Sequence, residues 1–297
     1  MTRTTLSVGI PNWGGWARGD WDSLLAIGRT CDDVGIDRLI VNDHVVMGAD
    51  TSSYVWGRFP TTPDAPWLEP LTVLAAIAAV TERVRISTGI LIAPLRPAAV
   101  LAKTVATLDL VSAGRVDLGV GTGWQEAEYD AAGLAFDTRG DLLDDTIGAC
   151  RALWGQLPAS YSSPTVAFTD TYCSPQPVQE RLPVWFAGPM TRRNLRRINA
   201  LGDGWIPIMG ASLDDIRSGA RQLRETVDRP LTVQAPAPIR TNAAGERDPA
   251  ATMAGVPALI DAGATDVYTN LSVFASEPSG ARAALEVLVT AFSKAVA

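Results

Sequence analysis

The chain has few of the residues that build metal centres and disulfide frameworks. Its 297 residues include one histidine and three cysteines, Cys31, Cys150 and Cys173. None of the cysteines belongs to a CxxC pair, and their scattered spacing fits neither a zinc site nor a disulfide framework. We therefore expect reduced cysteines that serve in packing, and no bound metal.

Excess positive charge and long apolar runs are also missing. A net charge of −7 opposes binding to nucleic acid and to anionic lipid, and no dense run of lysine and arginine offers a local exception. No window is apolar over the length that a membrane helix needs, and the first residues lack the apolar core of a signal peptide. We therefore expect a cytoplasmic protein without nucleic acid or membrane partners.

The common signatures of hydrolases and nucleotide-binding proteins are absent as well. The sequence contains no GxSxG, no HExxH and no GK[ST]. The stretch GVGTGWQEAEY at 119–129 has three glycines at alternate positions before a helix, but its spacing is not GxGxxG. It is either an ordinary tight turn or a phosphate-binding turn, which its helix N-terminus slightly favours.

What the sequence does contain is a regular alternation of short β-rich runs with helical stretches. The alternation predicts a parallel sheet, and eight units predict an α/β fold of the (β/α)8 TIM-barrel type. With 47% hydrophobic residues, the chain can form one domain over residues 1–297. The predicted strands are 5–11, 37–43, 83–94, 115–121, 182–188, 203–208, 231–239 and 264–274.

Two connections are too long to be plain linkers. Residues 45–67 follow the second predicted strand, and residues 156–181 precede the fifth. Long loops in a compact domain usually carry function, and loops that follow barrel strands lie on the face where active sites are found. The first insertion is therefore a candidate lid, whereas the second is rooted on the opposite face, although a long hairpin there could reach around.

The only histidine, His44, follows Asp43 directly after the second predicted strand. In a barrel this position is the carboxyl end, where ligands bind. A neighbouring carboxylate such as Asp43 can orient an imidazole and stabilise its charged form, so the pair is a candidate proton donor and acceptor. A hydrogen-bonded histidine that only holds the root of the loop fits the same position.

The order of these segments resembles the bacterial luciferase-like oxidoreductases. The resemblance rests on NDH at 42–44, RFPTTPDAPWLEPLTVLAAIA at 58–78, VRISTGIL at 84–91, GVGTGWQEAEY at 119–129 and LPVWFAGPM at 182–190. Within that superfamily the chain is most similar to the branch that uses the deazaflavin coenzyme F420. The order of the blocks is far more specific than any one of them.

The resemblance implies a deazaflavin bound across the carboxyl face of the barrel. It places Asp43 and His44 beside the reactive ring, and a non-prolyl cis peptide between Gly89 and Ile90 behind it. It also implies that the loops after the fourth and fifth strands bind the phosphate-bearing tail of the coenzyme. The residues at these positions are Gly121, Thr122, Gly123, Trp124, Ala187, Gly188, Pro189 and Met190.

The expected reaction is hydride transfer, because a deazaflavin is a two-electron carrier that activates oxygen poorly. Trp13 and Trp56 are candidate walls of the substrate pocket, or packing residues under a loop. Family members that oxidise sugar phosphates have an acid where this chain has Trp124, so we expect an apolar or heterocyclic substrate. Alternatives are an FMN-dependent monooxygenase and a non-catalytic flavin-binding barrel, and the resemblance further implies a homodimer.

Overall fold

Eight parallel strands close into the predicted barrel within the residues described by the computed structural model, 3–17, 21–57, 59–207 and 209–297. The barrel strands are β1 (Thr5–Gly9), β2 (Arg38–Val41), β3 (Arg85–Thr88), β4 (Leu91–Ile92), β5 (Val116–Gly121), β8 (Val184–Ala187), β9 (Gly204–Ile206), β10 (Thr232–Pro236) and β11 (Asp266–Asn270). The sheet order is β3-β2-β1-β11-β10-β9-β8-β5, and β3 pairs with β5 to close it. The short strand β4 continues the third barrel strand after a bulge and pairs with β5.

The helices surround the barrel and connect its strands. They bury their apolar faces against the outward-facing residues of the strands, which include Leu39, Val41 and Val267. The helices are α1 (Trp21–Val34), α2 (Pro70–Ala78), α3 (Ala98–Val111), α4 (Glu126–Ala131), α5 (Arg139–Gly155), α6 (Arg192–Leu201), α7 (Leu213–Thr226), α8 (Pro249–Met253), α9 (Val256–Asp261) and α10 (Ala281–Val296).

The amino half of the barrel interior is filled by an ionic layer. The Arg38 guanidinium donates to Asp117 at 2.7 Å and to Asp266 at 2.6 Å, and Arg85 donates to Asp117 at 2.6 Å. Burial alone would raise the pKa of Asp117, but the charges and hydrogen bonds of Arg38 and Arg85 outweigh burial and hold this pKa below its ordinary value. The paired charges thus replace an apolar core at this end of the barrel.

Glycines leave backbone as part of the wall in the carboxyl half of the interior, and neighbouring side chains such as Tyr268 lie close against them. A Cβ at Gly9 would lie 2.6 Å from the Tyr268 hydroxyl, and one at Gly119 would lie 2.0 Å from the Thr88 carbonyl oxygen. At Gly121 it would lie 3.1 Å from the nearest side-chain atoms. Since a larger residue does not fit at Gly9 or Gly119 and would be tight at Gly121, glycine backbone forms part of the wall below the mouth.

The two insertions lie at opposite ends of the barrel. The first, 45–67, folds over the carboxyl end, as the ring contacts of its aromatic residues show. The second forms an antiparallel hairpin of β6 (Ala159–Ser162) and β7 (Ala167–Thr171). Its last part closes the amino end, where Gln179 accepts a hydrogen bond from Arg85 at 3.0 Å. Arg58 of the first insertion and Ile208 of the sixth predicted strand lie outside the described residues.

The cysteines are buried and free, as predicted for packing residues. In the described part of the chain, no helix has the length and apolar character needed to cross a membrane. The same residues contain no group of three histidine, cysteine, aspartate or glutamate side chains that could hold a metal ion.

Candidate active site

The imidazole of His44 lies at the carboxyl end of the barrel in a recess of aromatic rings. Its centroid is 4.7 Å from that of Trp67, 5.5 Å from Phe59 and 5.9 Å from Trp124, and each pair of planes meets at 80°. Such edge-to-face contacts hold a ring in one orientation. His44 is therefore fixed where two loops meet: Phe59 and Trp67 belong to the first insertion, and Trp124 follows β5.

The carboxylate that contacts His44 is Glu128 on α4. Its Oε2 lies 3.1 Å from His44 Nδ1, and its Oε1 accepts the backbone N–H of Val45 at 2.9 Å. The Glu128 side chain is only 1% exposed. One turn of helix therefore supports both the imidazole and the start of the insertion.

The expectation that Asp43 orients His44 is wrong. The Asp43 carboxylate accepts the N–H of Ile92 at 2.8 Å and two guanidinium N–H groups of Arg96, at 2.6 and 3.1 Å. The reason is the alternation of side chains along a strand. Asp43 continues the outward-facing row of β2, whereas His44 continues the inward-facing row. Asp43 thus attaches the bulged third strand to the second, and its place beside a coenzyme ring stays a prediction.

The aromatic recess extends beyond His44 and includes both predicted pocket tryptophans. Trp13 stacks on Trp67 with centroids 5.5 Å apart. Tyr54 lies 5.4 Å from Trp124 and 5.3 Å from Trp56. Only the Trp67 ring therefore separates Trp13 from the imidazole, whereas the rings of Tyr54 and Trp124 lie between Trp56 and the imidazole. That Trp13 and Trp56 line a substrate pocket remains a prediction.

The third barrel strand has the expected backbone irregularity at the mouth. The peptide bond between Gly89 and Ile90 is cis, as the resemblance implied, and both residues are half-buried. Asn42 Nδ2 donates to the Gly89 carbonyl at 2.8 Å, while Asn42 Oδ1 is buried and has no hydrogen-bond partner. The indole N–H of Trp67 is buried and unpartnered too. Buried polar atoms are seldom left unpaired, so an acceptor and a donor are available to a bound group.

The two predicted phosphate-binding turns are neighbours, because β5 pairs with β8. A Cβ at Gly121 would lie 3.7 Å from the Cβ of Ala187. Gly123 and Gly188 have φ angles of 70° and 119°, a region that favours glycine. The turns are thus shaped by glycine backbone at the mouth, as a cradle for a phosphate-bearing chain requires. Whether Gly121–Trp124 and Ala187–Met190 bind a coenzyme stays a prediction.

Sequence reasoning assigned no role to Glu128, Phe59, Trp67 or Tyr54. Glu128 is separated from His44 by 84 residues, so no local motif joins them. A helical pattern could have indicated its position, because Gln125, Glu128 and Tyr129 are all buried while the neighbouring Glu126 is exposed. Spacing of this kind describes one inward-facing side of a helix.

Known protein sequences similar to this chain include relatives of unassigned activity. Over 189 residues the chain is 37% identical to the uncharacterized protein Rv0953c of Mycobacterium tuberculosis, a match that covers 61% of this chain and 66% of that protein. The matched region is thus just under two thirds of the length of that relative.

Similar solved structures include enzymes with different coenzymes. One is the monooxygenase RslO1 from Streptomyces bottropensis, with a TM-score of 0.79, 16% identity and coverage of 99% of this chain and 100% of that one. Another is the coenzyme F420 dependent tetrahydromethanopterin reductase from Methanopyrus kandleri (TM-score 0.70, 13% identity, coverage 98% and 99%). A third is the oxygenating constituent of 3,6-diketocamphane monooxygenase from Pseudomonas putida, in complex with FMN (TM-score 0.69, 13% identity, coverage 99% of each chain). At these identities the likeness shows the fold alone.

The family comparison covers nearly the whole barrel. The model described as luciferase-like monooxygenase matches residues 4–286, which include every barrel strand, the first insertion and the recess around His44. The chain therefore belongs to the luciferase-like monooxygenase family.

Proposed function

We propose that this protein is a coenzyme F420-dependent oxidoreductase that transfers a hydride between the deazaflavin and a small apolar or heterocyclic substrate. The observation that carries the proposal is the single histidine, held in an aromatic recess at the carboxyl end of the barrel. It lies two residues after Asn42, whose amide donates to the Gly89 carbonyl of the bulge. The NDH stretch at 42–44, which resembles the deazaflavin-using branch, supports this coenzyme over FMN. When bound, the deazaflavin supplies two-electron hydride chemistry.

The residues at the mouth fit such a coenzyme. The glycine backbone at 121–123 and at 188 would hold its phosphate-bearing chain, because backbone N–H groups bind phosphate without side chains. The unpartnered Oδ1 of Asn42 would accept a hydrogen bond from an N–H of the ring system. The Gly89–Ile90 bulge would support the ring itself.

The role proposed for His44 is proton transfer. Reduction of a carbonyl, imine or activated alkene by hydride needs a proton for the adjacent atom, and oxidation of an alcohol releases one. An imidazole can both accept and donate that proton as a general acid–base group. Its surroundings are aromatic, so a proton delivered there is shielded from bulk water.

The substrate proposed from this recess is neutral and apolar or heterocyclic. Aromatic rings line it, and the nearest carboxylate, Glu128, already contacts His44 and Val45. The nearby guanidinium of Arg96 forms ion pairs with Asp43 and Glu69. The rim adds Val45 and Val46, which are exposed. An anionic substrate would find no free counter-charge in these groups, whereas a planar apolar one would bury its faces against the rings.

The first test is a pair of fluorescence titrations, one with oxidised F420 and one with FMN. We expect saturable binding of F420 and much weaker binding of FMN. The reverse preference would overturn the proposal in favour of an FMN-dependent monooxygenase. This is the second candidate because one of the similar solved structures contains FMN. G121V should weaken F420 binding at least tenfold, because its side chain would enter the cradle. G155V is the matched control, since a Cβ at Gly155 has no atom within 4 Å.

A second test separates an enzyme from a flavin-binding barrel without catalysis. H44A should bind F420 with little change in affinity and lose turnover, once a substrate screen with reduced F420 has found one. Equal losses of binding and turnover would assign His44 a structural role and sink the proton-transfer argument.

We further propose that the protein is a homodimer. On α3, Val100, Leu110 and Val111 are exposed, with Val100 and Val111 each at 59%, and an exposed apolar surface favours association. Sedimentation equilibrium should give twice the chain mass, and V111E should shift the equilibrium towards the monomer. A wild-type monomer at micromolar concentration would refute this proposal.

A further inference from the structure

We propose that Glu128 fixes the tautomer of His44, placing the ring proton on Nδ1 and leaving Nε2 as the proton-accepting atom at the mouth. This inference rests on the proposed function only for what the proton is used for. Glu128 touches neither substrate nor coenzyme in this scheme and is a positioning residue.

The first support is the chemistry of the contact. A carboxylate can only accept hydrogen bonds, so its 3.1 Å contact with Nδ1 requires a proton on that nitrogen. In a neutral imidazole the other nitrogen, Nε2, then carries a lone pair. In the described part of the chain, no hydrogen bond engages Nε2, so this atom is available to a ligand.

The second support is that the carboxylate cannot turn away from His44. Its Oε1 accepts the N–H of Val45 at 2.9 Å, and the side chain is 1% exposed. Rotation would leave a buried amide without a partner, which is costly. A second link fixes the same two segments, since Gln125 accepts the N–H of Gly48 at 2.7 Å.

The third support is that the imidazole cannot flip to present its other nitrogen. Phe59, Trp67 and Trp124 all meet it edge-to-face, at centroid distances of 4.7 to 5.9 Å. A flipped ring would break the hydrogen bond at Nδ1 without finding another acceptor among these rings. The three aromatic rings therefore hold the plane of the imidazole, and Glu128 decides which flip of the ring, and which tautomer, is favoured.

The consequence for proton transfer is directional. A substrate hydroxyl that meets Nε2 can give its proton to the lone pair there, forming an N–H bond, and Glu128 then stabilises the imidazolium. In reverse, the imidazolium returns the proton from Nε2. Both steps need the same nitrogen at the mouth, and Glu128 secures this without contacting the substrate.

The variant E128Q should reverse the tautomer while keeping the shape of the site. The glutamine oxygen must still accept the N–H of Val45, so its NH₂ group faces Nδ1. Nδ1 must then accept, and the proton moves to Nε2. In serine proteases the corresponding Asp→Asn change lowers kcat about 10⁴-fold through a wrong tautomer. Since general acid–base catalysis contributes about 10²–10⁴-fold, we expect E128Q to lose at least about 100-fold in kcat, with F420 affinity unchanged.

The decisive measurement is ¹⁵N NMR on coenzyme-free protein labelled with ¹⁵N-histidine, because a single histidine gives unambiguous ring signals. In the wild type at a pH where the ring is neutral, the protonated nitrogen should be Nδ1. In E128Q it should be Nε2. The matched control is E126Q, which removes the same charge from an exposed position on the same helix and should keep the wild-type tautomer and turnover.

Each outcome bears on one proposal only. A wild-type spectrum with the proton on Nε2 overturns the inference even if E128Q does not fold. Loss of turnover in E128Q without a change of tautomer would also overturn it. If the spectra are as expected but the protein does not bind F420, the inference about the tautomer stands and the proposal of F420 as coenzyme is refuted.

Discussion

Replacing Arg38 by methionine should strongly destabilise the barrel. The Arg38 side chain is 7% exposed, and its two carboxylate partners, Asp117 and Asp266, are 2% and 0% exposed. Asp117 would keep Arg85, but Asp266 would keep only neutral donors, among them Ser7. Leaving a buried charge without its partner costs about 3–5 kcal/mol. R38M should lose about that much of its free energy of unfolding.

Urea unfolding followed by circular dichroism measures this loss. With an m-value of about 3 kcal/mol per molar urea, the midpoint should fall by about 1–1.7 M. The control is R3M, which removes an arginine that is 75% exposed and 3.1 Å from Asp37; an exposed pair of this kind contributes about 0–1 kcal/mol. Equal midpoints for R38M and R3M would refute the view that the ionic layer holds the barrel closed.

Three further predictions concern stability and reactivity. G119A should unfold at much lower urea than wild type, since its Cβ would lie 2.0 Å from the Thr88 carbonyl oxygen, whereas G155A should be neutral or stabilising by up to about 1 kcal/mol; similar midpoints would contradict the geometry. Burial raises the pKa of the Cys31 thiol to about 12, so native protein at pH 8 should not react with a thiol reagent at this residue until it unfolds. Burial alone would raise the pKa of Asp32, but three backbone amides outweigh it and hold the pKa below its ordinary value. The stabilisation is therefore present above about pH 4 and is lost as pH falls through the folded pKa, so D32N should be about 1.5–3 kcal/mol less stable at pH 7, with a gap that closes in acid.

The barrel strands were predictable because each is a short β-rich run between helical segments, and the structure buries most of the residues in these runs. β5 shows this most simply, since all six of its residues are buried. The bounds were less accurate: the third predicted strand, 83–94, is divided into β3 and β4 by the bulge. The cis bond at Gly89–Ile90 came from family resemblance, because composition and periodicity carry no sign of it.

The candidate site was only partly predictable. The position of His44 at the mouth follows from its place after a strand. Its partner did not follow, because adjacency in sequence favoured Asp43 while the strand alternation turned that carboxylate outward to Arg96. Glu128 comes from a helix 84 residues away, and contacts of that separation are fixed by the closure of the barrel rather than by any local pattern.

The division of the barrel interior into an ionic amino half and a glycine-lined carboxyl half has a consequence for how such a protein can evolve. Arg38, Asp117 and Asp266 hold the barrel closed from the end away from the mouth, so none of them has to change when the ligand does. Substitutions in the loops around His44 can then alter specificity with small losses of stability. Because the residues that stabilise this barrel are not the ones that select the ligand, the scaffold tolerates many substitutions near the ligand before it fails to fold.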